Sequence, residues 1–187
     1  MSDNRLSGLR SKVKLEHEIR TDRVTLRPLR ASDLETYKAY AMDAENTRYM
    51  CFLPKLSESE SREFLESAEA EWKKTAPGFC EYAVIYEGRH VGGVGIYLED
   101  GIGELSWIID RQYQRKGLAY EAVGALTDYF AREFGIKRFC AHCDTENTAS
   151  FRLMEKLGMK RTGVYGGRKN RLAGDESFEY LYELERR

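Results

Sequence analysis

The segment Trp107-Ile-Ile-Asp-Arg-Gln-Tyr-Gln-Arg-Lys-Gly-Leu-Ala-Tyr-Glu-Ala122 passes from an apolar run through a cationic turn into a helical pattern. A strand that hands over to a helix in so few residues commits the chain to a layered fold, with that helix packed back over a sheet. The turn itself allows two readings. It is either an ordinary strand-to-helix connection or a seat for an anion. The first N–H groups of a helix have no intrahelical acceptor and sit at the positive end of its dipole. Gly117 and the small Ala119 would let a phosphate approach that backbone, and Arg115 and Lys116 add charge beside it.

The rest of the chain reads as the frame for this segment. VTLRPL (24–29) alternates as a half-buried strand, and Ser32-Asp33 signals a helix start before LETYKAYAM. LSESESREFLESAEAEWKK is a second helix, capped by Ser57 or Ser59, with Phe64, Leu65, Ala68 and Trp72 at helical spacing and Pro77-Gly78 as its stop. EYAVIYE and HVGGVGIYLE form a hairpin through Glu87-Gly88-Arg89. Gly92, Gly93 and Gly95 do not form a dinucleotide loop, because that segment continues as strand instead of opening a helix. GELSWIID is the next strand, and the helix after it carries Leu118, Ala122, Leu126, Tyr129 and Phe130 as its apolar stripe. KRFCAHC, the helix NTASFRLMEKLG closed by Gly158, MKRTGVYGG and SFEYLYEL complete the order. The expectation is one α+β (mixed α/β) domain over residues 23–187, with a mostly antiparallel sheet of six to seven strands and four helices, preceded by a partly ordered lead-in at 1–22.

Composition bounds the function. With a net charge of −1 over 187 residues, nothing pushes the whole chain toward nucleic acid or an anionic membrane. No apolar run spans a bilayer and MSDNRLSGLRSK has no signal-peptide core, so a cytoplasmic protein is expected. Cys140 and Cys143 make a C-x-x-C, which could be a redox pair or half of a metal site. They lie in a strand, however, where positions three apart face opposite ways, and no second ligand pair exists in the sequence. Reduced structural thiols and no metal are expected. His17, His90 and His142 make no triad pattern.

The order of elements and two motifs resemble the GCN5-related N-acetyltransferase (GNAT) family. Gln114-Arg-Lys-Gly117-Leu-Ala119 is similar to the family's pyrophosphate signature Gln/Arg-x-x-Gly-x-Gly/Ala, and Asn147-Thr-Ala-Ser150 followed by Leu153 and LGM is similar to its Asn-x-x-Ser…Leu-Gly-Phe segment. RVTLRPLRASD and GLAYEA look like the branch of the ribosomal-protein N-terminal acetyltransferases (RimJ/RimL-like).

The resemblance implies acetyl-CoA as co-substrate. Its diphosphate would lie on the amides of Arg115, Lys116, Gly117, Leu118 and Ala119, next to Gln114. Its pantetheine arm would pair with the backbone of Trp107, Ile108, Ile109 and Asp110, on a strand splayed from its neighbour by a bulge, with Asn147 on the other side. Glu104 is the candidate general base, its pKa raised by partial burial. The tyrosine that many members use as acid is replaced by Met154, which leaves Ser150 as the candidate acid, with Tyr113, Tyr120 and Tyr165 as further possibilities. The acceptor expected is a protein N-terminal amine; the acidic second helix could draw such a cation, but a solvated helix face with Glu and Lys for solubility is the plainer reading of its charge. The alternatives are a small amine (polyamine, aminoglycoside-like or amino-acid-like) and a non-catalytic CoA-binding module. The state expected is monomer or homodimer.

Overall fold

The computed structural model describes residues 18–186. His17 and most of the lead-in expected at 1–22 lie outside the described residues. Eight strands form one sheet in the order β1-β2-β3-β4-β5-β6-β8-β7. In sequence these are β1 (Ile19–Arg20), β2 (Val24–Pro28), β3 (Phe79–Tyr86), β4 (Arg89–Glu99), β5 (Ile102–Ile109), β6 (Arg138–Asp144), β7 (Lys160–Arg168) and β8 (Ser177–Glu185). The strand beyond the six to seven expected is β1, whose two residues are too short to show a period. It extends the sheet by pairing with Thr25 and Leu26.

The helices are α1 (Leu34–Ala41), α2 (Glu58–Trp72), α3 (Leu118–Phe134) and α4 (Thr148–Lys156). Ser57, not Ser59, caps α2 by accepting from the Glu60 N–H. That helix stops at Trp72, five residues before Pro77, where the Lys73 and Lys74 N–H groups bond back to the Ala70 and Glu71 carbonyls and the Glu71 side chain accepts the Gly78 N–H. α3 runs between two left-handed glycines, Gly117 and Gly135. Its expected stripe is fully buried, against a core that includes Leu26, Val94, Ile96 and Phe139. A second core, Leu29, Tyr37, Tyr40, Leu65 and Ala68, lies under α1 and α2 on the opposite face of the sheet.

One pairing differs from the rest. Every neighbouring strand pair is antiparallel except β5–β6, which is parallel and limited to Ile102↔Arg138, Gly103↔Phe139 and Glu104↔Cys140. Beyond Glu104 the two strands diverge, and residues 105–109 keep only β4 as a ladder partner. The expected splay is therefore present, but the expected bulge in β5 is not. The β4–β5 register is continuous, and register shifts fall instead between β3 and β4 at Val84/Ile85 and between β7 and β8 at Arg161/Gly163 and Gly166/Arg168. The divergence follows from the two connections: α3 crosses over after β5, while β6 continues as the full-length antiparallel partner of β8.

Candidate active site

At the open end of β5 the chain turns through a short 3₁₀ segment, Arg111–Tyr113, capped by Asp110, whose Oδ1 accepts the Gln112 N–H. The Asp110 N–H is bonded to the Val91 carbonyl, so this end of the strand is held by β4. Gln114, expected beside the anion, turns its side chain the other way: Nε2 donates to the Ile109 carbonyl at 3.0 Å and to Asn46 at 2.8 Å. Its contribution is to fix the loop against the strand end. Arg115 and Gly117 then both take left-handed conformations, with φ of 62° and 78°. None of the backbone N–H groups from Arg115 to Tyr120 has an acceptor among the described residues. Arg115, Lys116 and Gly117 are exposed, Ala119 is half-buried, and Leu118 anchors the helix in the core. A left-handed turn feeding a helix N-terminus, lined with unaccepted N–H groups, is an anion nest.

Across the splay, Asn147 caps α4, its Oδ1 accepting the Ser150 N–H at 3.2 Å. That leaves its Nδ2 as the outward donor. The Ser150 hydroxyl is half-buried and makes no hydrogen bond among the described residues. Met154 is fully buried, so the position where many relatives carry tyrosine serves the core here. Trp107 and Ile108 are half-buried and Ile109 is buried. Their side chains pack while alternate main-chain groups on the unpaired edge stay available.

The face of the sheet under α1 and α2 carries the acid–base groups. Glu104 is exposed, not partly buried as expected, and its carboxylate has no hydrogen bond or ion pair among the described residues. A buried carboxylate on this face belongs to Glu81 on β3, which the sequence reading passed over. Glu81 accepts from the Tyr97 hydroxyl at 2.9 Å, and Tyr97 stands directly opposite Glu104. Burial raises Glu81 to about 7, against the Tyr97 hydrogen bond, which favours its charged form. Gly95 makes room for it: a Cβ there would lie 2.5 Å from Glu81 Oε1 and 2.7 Å from Ser106 Oγ. A lone glutamate in an apolar strand, with a glycine opposite, was the available signal.

Beside this face the segment around Tyr49 and the one from Arg168 to Arg171 are tied together. Arg168 donates to the Tyr49 carbonyl at 2.9 Å and to Glu179 at 2.8 Å, and Arg171 pairs with Glu60 at 3.0 Å. The acidic residues of α2 are largely spoken for. Glu58 meets Lys38 and Arg62, Glu60 meets Arg171, Glu69 meets Lys73, and Glu71 meets Lys74. The helix is thus a weaker lure for a cationic acceptor than its composition implied. The C-x-x-C is split as expected, with Cys140 half-buried on the Glu104 face and Cys143 buried in the core under α3 and α4. No helix among the described residues is long and apolar enough to cross a membrane.

Residues 23–160 match the model of the acetyltransferase (GNAT) domain. The uncharacterized N-acetyltransferase YnaD of Bacillus subtilis is 28% identical over 171 residues, covering 89% of this chain and 95% of that protein. The uncharacterized N-acetyltransferase p20 of Bacillus licheniformis is 28% identical over 167 residues, covering 86% and 94%. Among solved structures, a GNAT-family acetyltransferase from Bacillus anthracis superposes with a TM-score of 0.75 at 28% identity, covering 90% of this chain and 98% of its own. RimL, a ribosomal L7/L12 alpha-N-protein acetyltransferase in complex with coenzyme A, shares the fold at a TM-score of 0.81 and 17% identity, covering 90% and 97%. With the splayed strands, the left-handed turn and the helix mouth already in place, this chain belongs to the GNAT acetyltransferase family and is an acyl-CoA-dependent N-acetyltransferase.

Proposed function

We propose that the protein transfers the acetyl group of acetyl-CoA to the N-terminal amine of a polypeptide. The observation that carries the donor half is the run of unaccepted N–H groups from Arg115 to Tyr120 at the mouth of the β5–β6 splay. Such a run fits a diphosphate, which supplies several acceptors at once. The unpaired edge of β5 suits the amide-bearing arm of the same molecule, and Asn147 Nδ2 offers a donor from the far side. The reading gains support from RimL, the similar fold solved with coenzyme A, which acts on a protein N-terminus.

In this reading Glu104 takes a proton from the incoming ammonium, directly or through one water, since its carboxylate is exposed and uncommitted. The amine then attacks the thioester carbon, and N–H groups on the free edge of β5 meet the oxyanion. Collapse expels the CoA thiolate, which takes a proton from the otherwise unbonded Ser150 hydroxyl, and the product nitrogen gives up its surplus proton through water to restore that hydroxyl. No covalent enzyme intermediate is needed.

The acceptor half rests on exposed apolar side chains of the two tied loops. Phe52 and Leu56 on the loop before α2, and Leu172 on the loop before β8, are 83%, 60% and 50% exposed. The Arg171–Glu60 pair and the hydrogen bond from the Arg171 N–H to the Met50 carbonyl join these loops. Large apolar side chains held exposed on tied loops suit a polypeptide better than a small polar amine.

The test is acetyl-CoA turnover against peptides with free N-termini and against polyamines, aminoglycosides and amino acids, with products identified by mass. Glu104→Gln should lower kcat by about 10²–10⁴-fold with little change in the KM for acetyl-CoA. Turnover of a small amine with none on peptides would overturn the acceptor assignment, and an unimpaired Glu104→Gln would remove Glu104 as the base.

A further inference from the structure

Two side chains beside Glu104 take no part in acetyl transfer as described, yet they complete a set of donors. Glu104 and Cys140 are directly opposed across the short parallel ladder, and His142 stands two residues further along β6 on the same face. A carboxylate oxygen of Glu104, the Cys140 Sγ and a ring nitrogen of His142 all lie within 4.8 Å of one another. We propose that these three residues form a binding site for a thiophilic divalent transition metal, Zn²⁺ fitting best, and that its occupancy switches acetyl transfer off by taking the Glu104 carboxylate. The site itself is independent of the proposed reaction, and only the switch rests on the reading of Glu104 as base.

The donor set argues for the class of metal. One sulfur, one imidazole nitrogen and one carboxylate oxygen match zinc, whereas Mg²⁺ and Ca²⁺ prefer oxygen alone. Metal–ligand bonds of about 2.0–2.3 Å in a tetrahedron put donors roughly 3.5 Å apart, so side-chain rotation of about an ångström closes the set. All three backbone positions are fixed by ladder pairing, Glu104 with Cys140 and Tyr97, and His142 with Leu181, which leaves only the rotamers to adjust. Three protein ligands leave the fourth position open for water.

The surroundings of His142 supply an independent indication. Its Nδ1 is buried and has no hydrogen-bond partner, although it lies 3.2 Å from Glu179 Oε1. Arg168 holds Glu179 in place at 2.8 Å. A small ring rotation would form the carboxylate–imidazole bond that orients metal-binding histidines and would turn Nε2 toward Cys140. Burial, with Glu104 and Glu183 nearby and Arg138 opposing them, pushes the Cys140 thiol up to about 11. The metal must therefore displace the thiol proton to solvent as the metal–sulfur bond forms. Cys143 takes no part, since it is buried on the other face.

The full chain, stripped of metal with a chelator, is titrated with Co²⁺ and followed by absorption. One equivalent should give a near-ultraviolet sulfur-to-cobalt band and visible bands of a tetrahedral site, and Zn²⁺ should abolish both. Cys140→Ser should lose the sulfur band, and His142→Ala should bind at least tenfold more weakly. In initial-rate assays with buffered Zn²⁺, the wild type should be inhibited and a chelator should restore it. Cys140→Ser and His142→Ala should keep the basal rate and need at least tenfold more Zn²⁺ for the same inhibition. A cobalt spectrum without the sulfur band would overturn the site. A sulfur band accompanied by zinc-insensitive turnover would overturn the switch alone, and Glu104→Gln rates judge the base separately from either result.

Discussion

Arg23 donates from Nη1 to the main-chain carbonyl of Lys116 at 3.0 Å, tying the start of β2 to a loop 93 positions away. The same guanidinium donates from Nε to Glu121 Oε2 at 2.7 Å, in the first turn of α3. Glu121 is in turn held by the Thr21 hydroxyl and the Arg23 N–H. The clamp brackets Gly117 on both sides and fixes where the N–H groups of the turn point.

Arg23→Ala should therefore act on the donor and not on the chemistry. Loss of charge-assisted bonds to the loop should raise the KM for acetyl-CoA by roughly tenfold, about 1.4 kcal/mol, with kcat within a factor of two. Arg23→Lys, which keeps one contact, should recover part of the loss. Steady-state kinetics at saturating acceptor would show it, and a change confined to kcat would contradict the clamp.

At Gly117 space and backbone conformation can be separated. An added Cβ would meet only Arg23 Nη2, at 3.5 Å, an ordinary contact, but the φ of 78° disfavours any L side chain. Gly117→Ala should cost about 1 kcal/mol of stability by urea denaturation and leave measurable CoA binding. Gly117→Glu should cost a similar amount in stability while weakening CoA at least tenfold by calorimetric titration, because a carboxylate then competes for the nest. Equal CoA affinity in Gly117→Glu and the wild type would remove the diphosphate from this turn.

Glu81 predicts a pH dependence of stability. Its native pKa of about 7 lies above the ordinary carboxylate value of 4.5, so between these values the native state holds a proton that the unfolded chain has released. The contribution is complete below about pH 4.5 and is lost as pH rises through 7, amounting to roughly 3 kcal/mol at most. Unfolding midpoints measured from pH 5 to 8 should fall in the wild type, and Glu81→Gln should flatten this component. Gly95→Ala, which drives a methyl into the Glu81 carboxylate and Ser106, should destabilise by about 1–3 kcal/mol at any pH in that range.

Local chemistry made the scaffold legible. The α3 stripe, the glycine stop at 158 and the hairpin at Glu87-Gly88 are each encoded within a turn or two of chain, and all are present as read. What escaped depends on neighbours far off in sequence. Arg23 gave no hint of its reach to Lys116, and Glu81 looked like one polar residue in a strand until Gly95 was seen opposite. Glu104 was expected to be partly buried, yet the divergence of β6 just past it leaves the side chain in the open. The pair Cys140 and His142, two apart on a strand and so on one face, was visible in the sequence. It was overshadowed by the more familiar Cys140/Cys143 spacing.

The three-residue ladder between β5 and β6 also bears on how the protein comes apart. It leaves the sheet as two blocks, β1–β5 and β6–β8, joined along their shared border by three residue pairs, with α3 packed as the brace across them. A pantetheine arm lying in the gap would act as a missing strand, so the protein would gain cooperativity from its own substrate. Amide exchange without ligand should then show two units opening at different free energies, which merge into one when CoA is bound.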